Sequence, residues 1–255
     1  MNRQTERGLS MLKDTNWEPL LAAVEEQLAA DSPVAARAAL EQLRACVGAE
    51  HVVVEYAHAR VVWLEAGPEA AAPLLERVVA RERLEPAQDS VARAGIYAEA
   101  HYDLAGIAQE NGDKTRVVAH FMRVRELDAS SDRALGVATS ELLEHIERVA
   151  SAVLEQLPPV FGERLGHVPV LIESRPSRSL VSEGFDPRAL GLFEGPTDGV
   201  SDVPEPSRIV LYANNLLAEY PDEPELSEQI AVTVLHEVGH FFNLDEEQLE
   251  KLGLD

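Results

Sequence analysis

The sequence predicts an α+β protein: an all-α array of helical hairpins, followed by a smaller domain in which strands join the helices. Three observations carry this reading. Between about Asn16 and Asp128, apolar residues recur at three- and four-residue steps, interrupted by Gly, Pro and Asp. Beyond Pro158-Pro159, two short β-branched runs appear. Aromatic residues make up only 5% while Ala, Leu, Val and Glu abound, a composition suited to closely packed helices. With 255 residues, 45% of them hydrophobic, the chain can build two cores. Its expected domains are 15–130 and 131–255.

In the first domain the periodicity places helices near 17–30, 33–46, 50–66, 68–84, 91–111 and 114–127, pairing into three hairpins. Gly112 can take the positive φ that closes one helix, and Asp113 can cap the next. The stretch Ala98 to Ser130, AEAHYDLAGIAQENGDKTRVVAHFMRVRELDAS, resembles a tetratricopeptide repeat: Leu104-Ala105, the Gly112-Asp113 turn and Phe121 occupy matching positions. Val117, Val124 and Ala129 depart from that pattern, with Ala129 standing where a proline is usual. The pair from Val53 to Val79 echoes it, with Gly67 at the turn and Ala72 at the close-packing site of the second helix. Gly67 and Gly112 are 45 residues apart, against a repeat of about 34, so Arg81 to Ser90 is expected to be a longer connection. Trp17 and Trp63 are expected in the hairpin core, and Cys46 is expected as a small buried apolar residue.

In the second domain, Leu135, Leu142, Ile146, Val149 and Val153 predict a helix from after Ser130-Ser131 to about Leu157. His167 to Glu173 and Arg208 to Ala213 read as strands. The stretch from Ser174 to Ser207 contains Pro176, Pro187, Pro196, Pro204 and Pro206 and reads mostly as loop. A last helix starts between Asp222 and Ser227, with Pro224 at a first helical position, and runs through His240. Leu226, Ile230, Val234 and Val238 form its core row. Thr233, His236 and His240 lie on roughly the opposite side.

That helix carries His236-Glu237-Val238-Gly239-His240. Residues four apart stand one above the other, so both imidazoles can address one zinc ion, with Glu237 to the side as general base for a water. Gly239 is small enough for close packing beside the site. Six residues after His240 stands Glu246, the spacing at which metzincin-type enzymes place a third ligand after a sharp turn. Asn243 stands where those enzymes have glycine, and it tolerates the left-handed conformation the turn requires. Asp245, Glu247 and Glu250 compete with Glu246. For an oxyanion stabiliser Tyr212 and Tyr220 are candidates, each also readable as packing. The remaining histidines, His51, His58, His101, His120, His145 and His167, are expected to be solvated or satisfied within the fold.

From about Ser151 to Asp255 the chain resembles the small bacterial minimal-zincin family of metallopeptidases, through LEQLPPVFGERLGHVPVLIE, DPRALGLFEG, PSRIVLYANNLLAEYP and VTVLHEVGHFFNLDEEQLEKLGL in order. The resemblance implies a zincin-like α+β metallopeptidase fold, Zn2+ as cofactor on His236, His240 and position 246, Glu237 as base, and peptide or protein as substrate. Asn243 and Glu246 depart from the family's glycine and aspartate. The Arg208 to Ala213 strand is expected to be the edge to which an extended peptide adds, and the helical repeats are expected to recruit the substrate or a protein partner.

A net charge of −23 without a basic stripe argues against nucleic acid and against anionic membrane surfaces. One cysteine, no signal-peptide core and no membrane-length apolar run lead us to expect a cytoplasmic protein.

Overall fold

The computed structural model describes residues 17–85, 90–165, 168–196 and 207–251. They fall into two compact units that divide between Ser131 and Asp132. Among the described residues, no helix is long and apolar enough to cross a membrane.

The first unit is helical throughout its described length. Helices α1 (Glu18–Ala29) and α2 (Pro33–Val47), then α3 (Val52–Ala66) and α4 (Pro68–Arg81), are followed by α5 (Val91–Glu110) and α6 (Lys114–Leu135). The turns follow from local chemistry. Pro33 and Pro68 occupy first helical positions, where the missing N–H costs nothing. Gly67 closes α3 at φ 87°, and Gly112 ends α5 at φ 69°, after which Asp113 Oδ1 accepts from the Arg116 N–H (3.1 Å). The core joins Val24, Leu40, Leu43, Val53, Ala59, Leu75, Val78 and Tyr97, with small alanines letting the helices close up. Trp17 and Trp63 pack against it while partly buried. Of the alanines on α4, Ala71 is the fully buried one, with Ala72 half-buried.

Two expectations are corrected here. Cys46 is exposed on α2, because at about 100° per residue it stands to the side of the buried row Ala36, Leu40 and Leu43, which Val47 continues. Helix α6 does not stop near 127. With Ala129 in place of a proline nothing blocks propagation, and it continues through Ser130-Ser131 to Leu135. The helix expected from 130 to 157 is therefore divided. Gly136 breaks the chain at φ 63°, and Thr139 caps a new helix, α7 (Ser140–Glu155), by accepting from the Leu142 N–H. Leu135 consequently lies exposed at the end of α6.

The second unit continues with α8 (Pro159–Leu165), β1 (Val170–Glu173), α9 (Arg178–Ser182), β2 (Gly191–Glu194), β3 (Arg208–Tyr212), α10 (Ala213–Glu219), α11 (Glu223–Phe241) and α12 (Glu246–Glu250). The stretch expected as loop, Ser174 to Ser207, contains α9 and β2, and its residues 197–206 lie outside the described ones. The proline count hid them, because Pro187 and Pro196 flank β2 without entering it. His167 also lies outside the described residues.

The three strands are ordered β1-β3-β2, with β1 parallel and β2 antiparallel to β3. This overturns the edge expected at Arg208 to Ala213: β3 is central and its ladder is used on both sides, consistent with residues 209–212 all being buried. Helix α11 packs against α7, β2 and β3, and its row Leu226, Ile230, Val234 and Val238 is buried in a core shared with Ile146, Ile209, Leu211 and Leu216.

A buried polar network ties the end of α6 to the start of α10 within this unit. Arg175 donates to both carboxylate oxygens of Asp132, at 2.5 and 2.9 Å, and to Asn215 Oδ1 at 2.5 Å. Asn214 Nδ2 adds a bond to Asp132 at 2.8 Å. A planar guanidinium on a carboxylate is the pairing best able to offset the cost of burying both charges.

Candidate metal centre

Helix α11 supplies two imidazoles, and the first residue of α12 supplies a carboxylate. The Nε2 atoms of His236 and His240 lie 2.9 Å apart. Glu246 brings Oε1 to 3.4 Å from His240 Nε2 and Oε2 to 3.8 Å from His236 Nε2. Among the described residues this is the one group of three metal-ligating side chains whose donor atoms all lie within 4.8 Å of one another.

Local rules produce this geometry. The four-residue spacing stacks the histidines on one face. Phe242 N–H closes the helix on the Val238 carbonyl, and Asn243 then adopts φ 61°, reversing the chain as its residue type allows. Leu244 N–H returns to the Gly239 carbonyl at 3.0 Å. Asp245 then caps α12 in a reciprocal box: it accepts from the Gln248 N–H, while its own N–H donates to Gln248 Oε1, both at 2.9 Å. Position 246 thereby becomes the first residue of α12, facing back to the histidines.

The competing carboxylates separate on this geometry. Asp245 is occupied as a cap, Glu247 pairs with Lys251 Nζ at 2.6 Å, and Glu250 stands exposed at the far end of α12, outside the cluster. Gly239 matters because a Cβ there would overlap the buried Leu249 side chain of α12, so only glycine lets α12 lie this close.

The donor set suits a divalent ion such as zinc. Two neutral imidazoles cannot aim lone pairs at each other across 2.9 Å without a proton or a cation between them. His240 Nδ1 lies 3.3 Å from the Leu244 carbonyl, a partner that fixes this nitrogen as the N–H and leaves Nε2 as the donor. The carboxylate adds an anionic oxygen, completing a set typical of zinc sites that keep a position open.

Glu237 is displaced from that donor set and faces β2. It is only 6% exposed, and its Oε2 accepts from the Phe193 N–H at 2.6 Å. Burial raises its carboxyl above the usual carboxylate range, opposed by His236, His240 and the Phe193 N–H. A buried carboxylate held above the ordinary carboxylate range beside two imidazoles is suited to accepting a proton from water.

The cluster opens into a cleft of about 460 Å3, lined on its other sides by Phe185, Leu190, Leu192, Tyr220, Val232 and Thr233. Of the two tyrosines, Tyr220 reaches this cleft. Tyr212 is buried in the core, where burial and the neighbouring carboxylates Glu173, Glu194 and Glu237 keep its phenol firmly protonated. Sequence reasoning passed over β2 as a wall of the site. Its one signal was Gly191 inside the short apolar run Ala189 to Phe193, since a glycine within a strand marks close approach of another backbone or side chain.

Comparison with known proteins gives one match, within this unit. Residues 165–254 match the model of the zincin-like metallopeptidase family, a stretch that contains β1, β2, β3 and the whole His236-His240-Glu246 cluster. No curated protein matches the chain.

Proposed function

We propose, from the match of residues 165–254 to zincin-like metallopeptidases, that this chain is a zinc-dependent peptidase. In this reading His236, His240 and Glu246 hold Zn2+, and Glu237 is the general base. The observation that carries it is the convergence of two histidine nitrogens and one carboxylate beside a buried second carboxylate at the mouth of a cleft. A purely structural zinc site has no use for that second carboxylate.

When bound, zinc supplies a Lewis acid that acidifies water toward about neutral pH and polarises a carbonyl. The chain's own residues do the rest. Glu237 takes the proton of the attacking water and passes it to the leaving amine, a transfer favoured by the raised pKa that its burial imposes. Leu244, through its carbonyl, holds the His240 ring in the required orientation. The walls Phe185, Leu190 and Val232 exclude bulk water from one side of the cleft. Edge strand β2, in place of β3, is the strand on which an extended peptide pairs. Tyr220 is the remaining candidate for polarising the substrate carbonyl.

The helical unit is read as a tetratricopeptide-like hairpin array that recruits a protein substrate or partner, in a cytoplasmic protein that binds neither nucleic acid nor membrane. Its three hairpins and the Gly112-Asp113 turn support that reading.

The deciding measurement is cleavage of a peptide library by the zinc-loaded full chain and by Glu237→Gln. The substitution removes the base and keeps the volume, so zinc content should stay unchanged while turnover falls by about 10²- to 10⁴-fold. Equal turnover in both, or none in either, would leave a metal-binding interaction scaffold as the better reading. Absence of zinc after metal supplementation, with melting unaffected by a chelator, would remove the metal itself.

A further inference from the structure

We propose that β2 is a clamp that positions the Glu237 carboxylate, with Gly191 and the Phe193 N–H as its two positioning groups; as a contribution to catalysis this rests on the peptidase reading above. Helix α11 can place Glu237 beside His236, but among the described residues the hydrogen-bond donor at its carboxylate comes from β2. Phe193 N–H reaches Oε2 at 2.6 Å. The other side of the carboxylate faces Gly191. A Cβ built there would stand 3.1 Å from Glu237 Oε1, 3.2 Å from Glu237 Cγ and 2.8 Å from Thr233 Cγ2. All three distances are tighter than ordinary van der Waals contact, and Thr233 and Glu237 are both buried, so a methyl at 191 would push one or both side chains out of their places. Glycine at 191 is therefore what allows β2 to approach α11 closely enough for Phe193 to hold the carboxylate.

The strand geometry makes that contact a deliberate use of an edge. Tyr212 N–H donates to the Leu190 carbonyl at 2.9 Å, so Leu190, Leu192 and Glu194 turn their backbone groups toward β3. By alternation Gly191 and Phe193 turn theirs to the open edge. The Phe193 N–H is spent on Glu237, and the Ala189 carbonyl on Asn215 Nδ2 at 2.6 Å. Among the described residues, what remains for an added peptide strand is the Gly191 N–H and carbonyl and the Phe193 carbonyl. The same two residues, Gly191 and Phe193, thus orient the base and offer the pairing groups. One oxygen of Glu237 is anchored while Oε1 stays available to take a proton, which fixes the distance between base and substrate backbone through a single rigid element.

The test compares wild type, Gly191→Ala, Gly191→Ala/Thr233→Ser and Glu237→Ala as full-length, zinc-loaded protein. Thr233→Ser deletes the methyl that a Cβ at 191 would strike and keeps the hydroxyl that donates to the Gln229 carbonyl at 2.8 Å. The first readout is exchange of the Phe193 amide followed by NMR. In Glu237→Ala and in Gly191→Ala this amide should exchange at least about tenfold faster than in wild type, and the double variant should recover protection. The second is peptide turnover: kcat should fall by about a hundredfold in Gly191→Ala with zinc content retained and KM little changed, and should return by at least about tenfold in the double variant. A merely structural role for Gly191 would lower stability without following the Phe193 amide or responding to Thr233→Ser. The clamp is overturned if Phe193 exchanges equally fast in wild type and Glu237→Ala, or if Gly191→Ala leaves that protection intact. Because the amide readout needs no substrate, a wild type that cleaves nothing would sink the peptidase reading while the amide still decides the clamp.

Discussion

Among the described residues, two pairs of histidines approach each other, one in each unit, and their surroundings differ in kind. His101 on α5 and His120 on α6 bring their Nδ1 atoms to 2.8 Å, as close as the Nε2 atoms of His236 and His240 at 2.9 Å. The difference is what stands around them. Near the first pair the carboxylate is Glu82, which lies 3.8 Å from the opposite ring nitrogen of His101 and is engaged by Arg123. Its donors point at no common centre. Burial, reinforced by the neighbouring histidine, pushes His101 down to about 4, and burial also lowers His120. Near the second pair, Glu246 reaches the same two nitrogens that face each other. Proximity of two imidazoles does not make a metal site; a third donor on the same side, held by a cap and a left-handed residue, does.

The sharpest way to break this comparison is to remove one histidine from each pair. His236→Ala should weaken zinc binding by more than about a hundredfold, beyond the 10- to 100-fold range seen when only supporting residues are lost. His101→Ala should leave zinc binding unchanged, as read by competition with a chromophoric chelator. Similar losses in both variants would mean the helical unit holds a metal too.

Acid should reveal the first pair. Both its histidines are neutral when folded, with pKa values below the ordinary 6.5, so between pH 6.5 and about 4 the unfolded chain binds more protons than the folded one. Stability is then complete above about pH 6.5 and is lost as pH falls toward 4, by on the order of 2–3 kcal/mol for His101. Trp17 and Trp63, the protein's only tryptophans, both lie in the helical unit, so tryptophan fluorescence in urea reports on that unit alone. His101→Gln should flatten the dependence. An unchanged slope would show that other groups carry it.

A smaller effect tests how the second site is held. Asp245→Ala removes the cap of α12 and should cost about 1 kcal/mol of stability. It should also lower zinc affinity by about tenfold through misplacement of Glu246, although residue 245 lies outside the donor set. Stability loss with unaltered zinc affinity would detach the cap from the site.

Local physics made part of this legible beforehand. The order of the helices, the Gly112-Asp113 turn, the buried row on α11 and the left-handed Asn243 are consequences of neighbouring residues, and neighbouring residues can be read in a line. Ala129 shows the limit of a motif: one missing proline let α6 run on to Leu135, and Gly136 took over as the breaker. Cys46 and Leu135 show the limit of residue type, since both face outward on helices whose other faces are satisfied.

By itself, then, the sequence determined the helical character of both units and the stacking of His236 over His240, because a helix repeats at a distance its own backbone sets. Spacing favoured Glu246 among the acidic residues that follow, but only the tertiary structure sets it against both imidazoles and brings up the strand that forms the site's wall. Asp245, Glu246, Glu247 and Glu250 are chemically alike in a string of letters, and they part only when one caps, one converges, one pairs with Lys251 and one stands exposed at the far end. Likewise β2 hides in a proline-rich stretch until Gly191 meets Thr233 and Glu237 across 42 to 46 positions of chain, a contact that no local rule encodes because only the packed sheet and helix bring those atoms together.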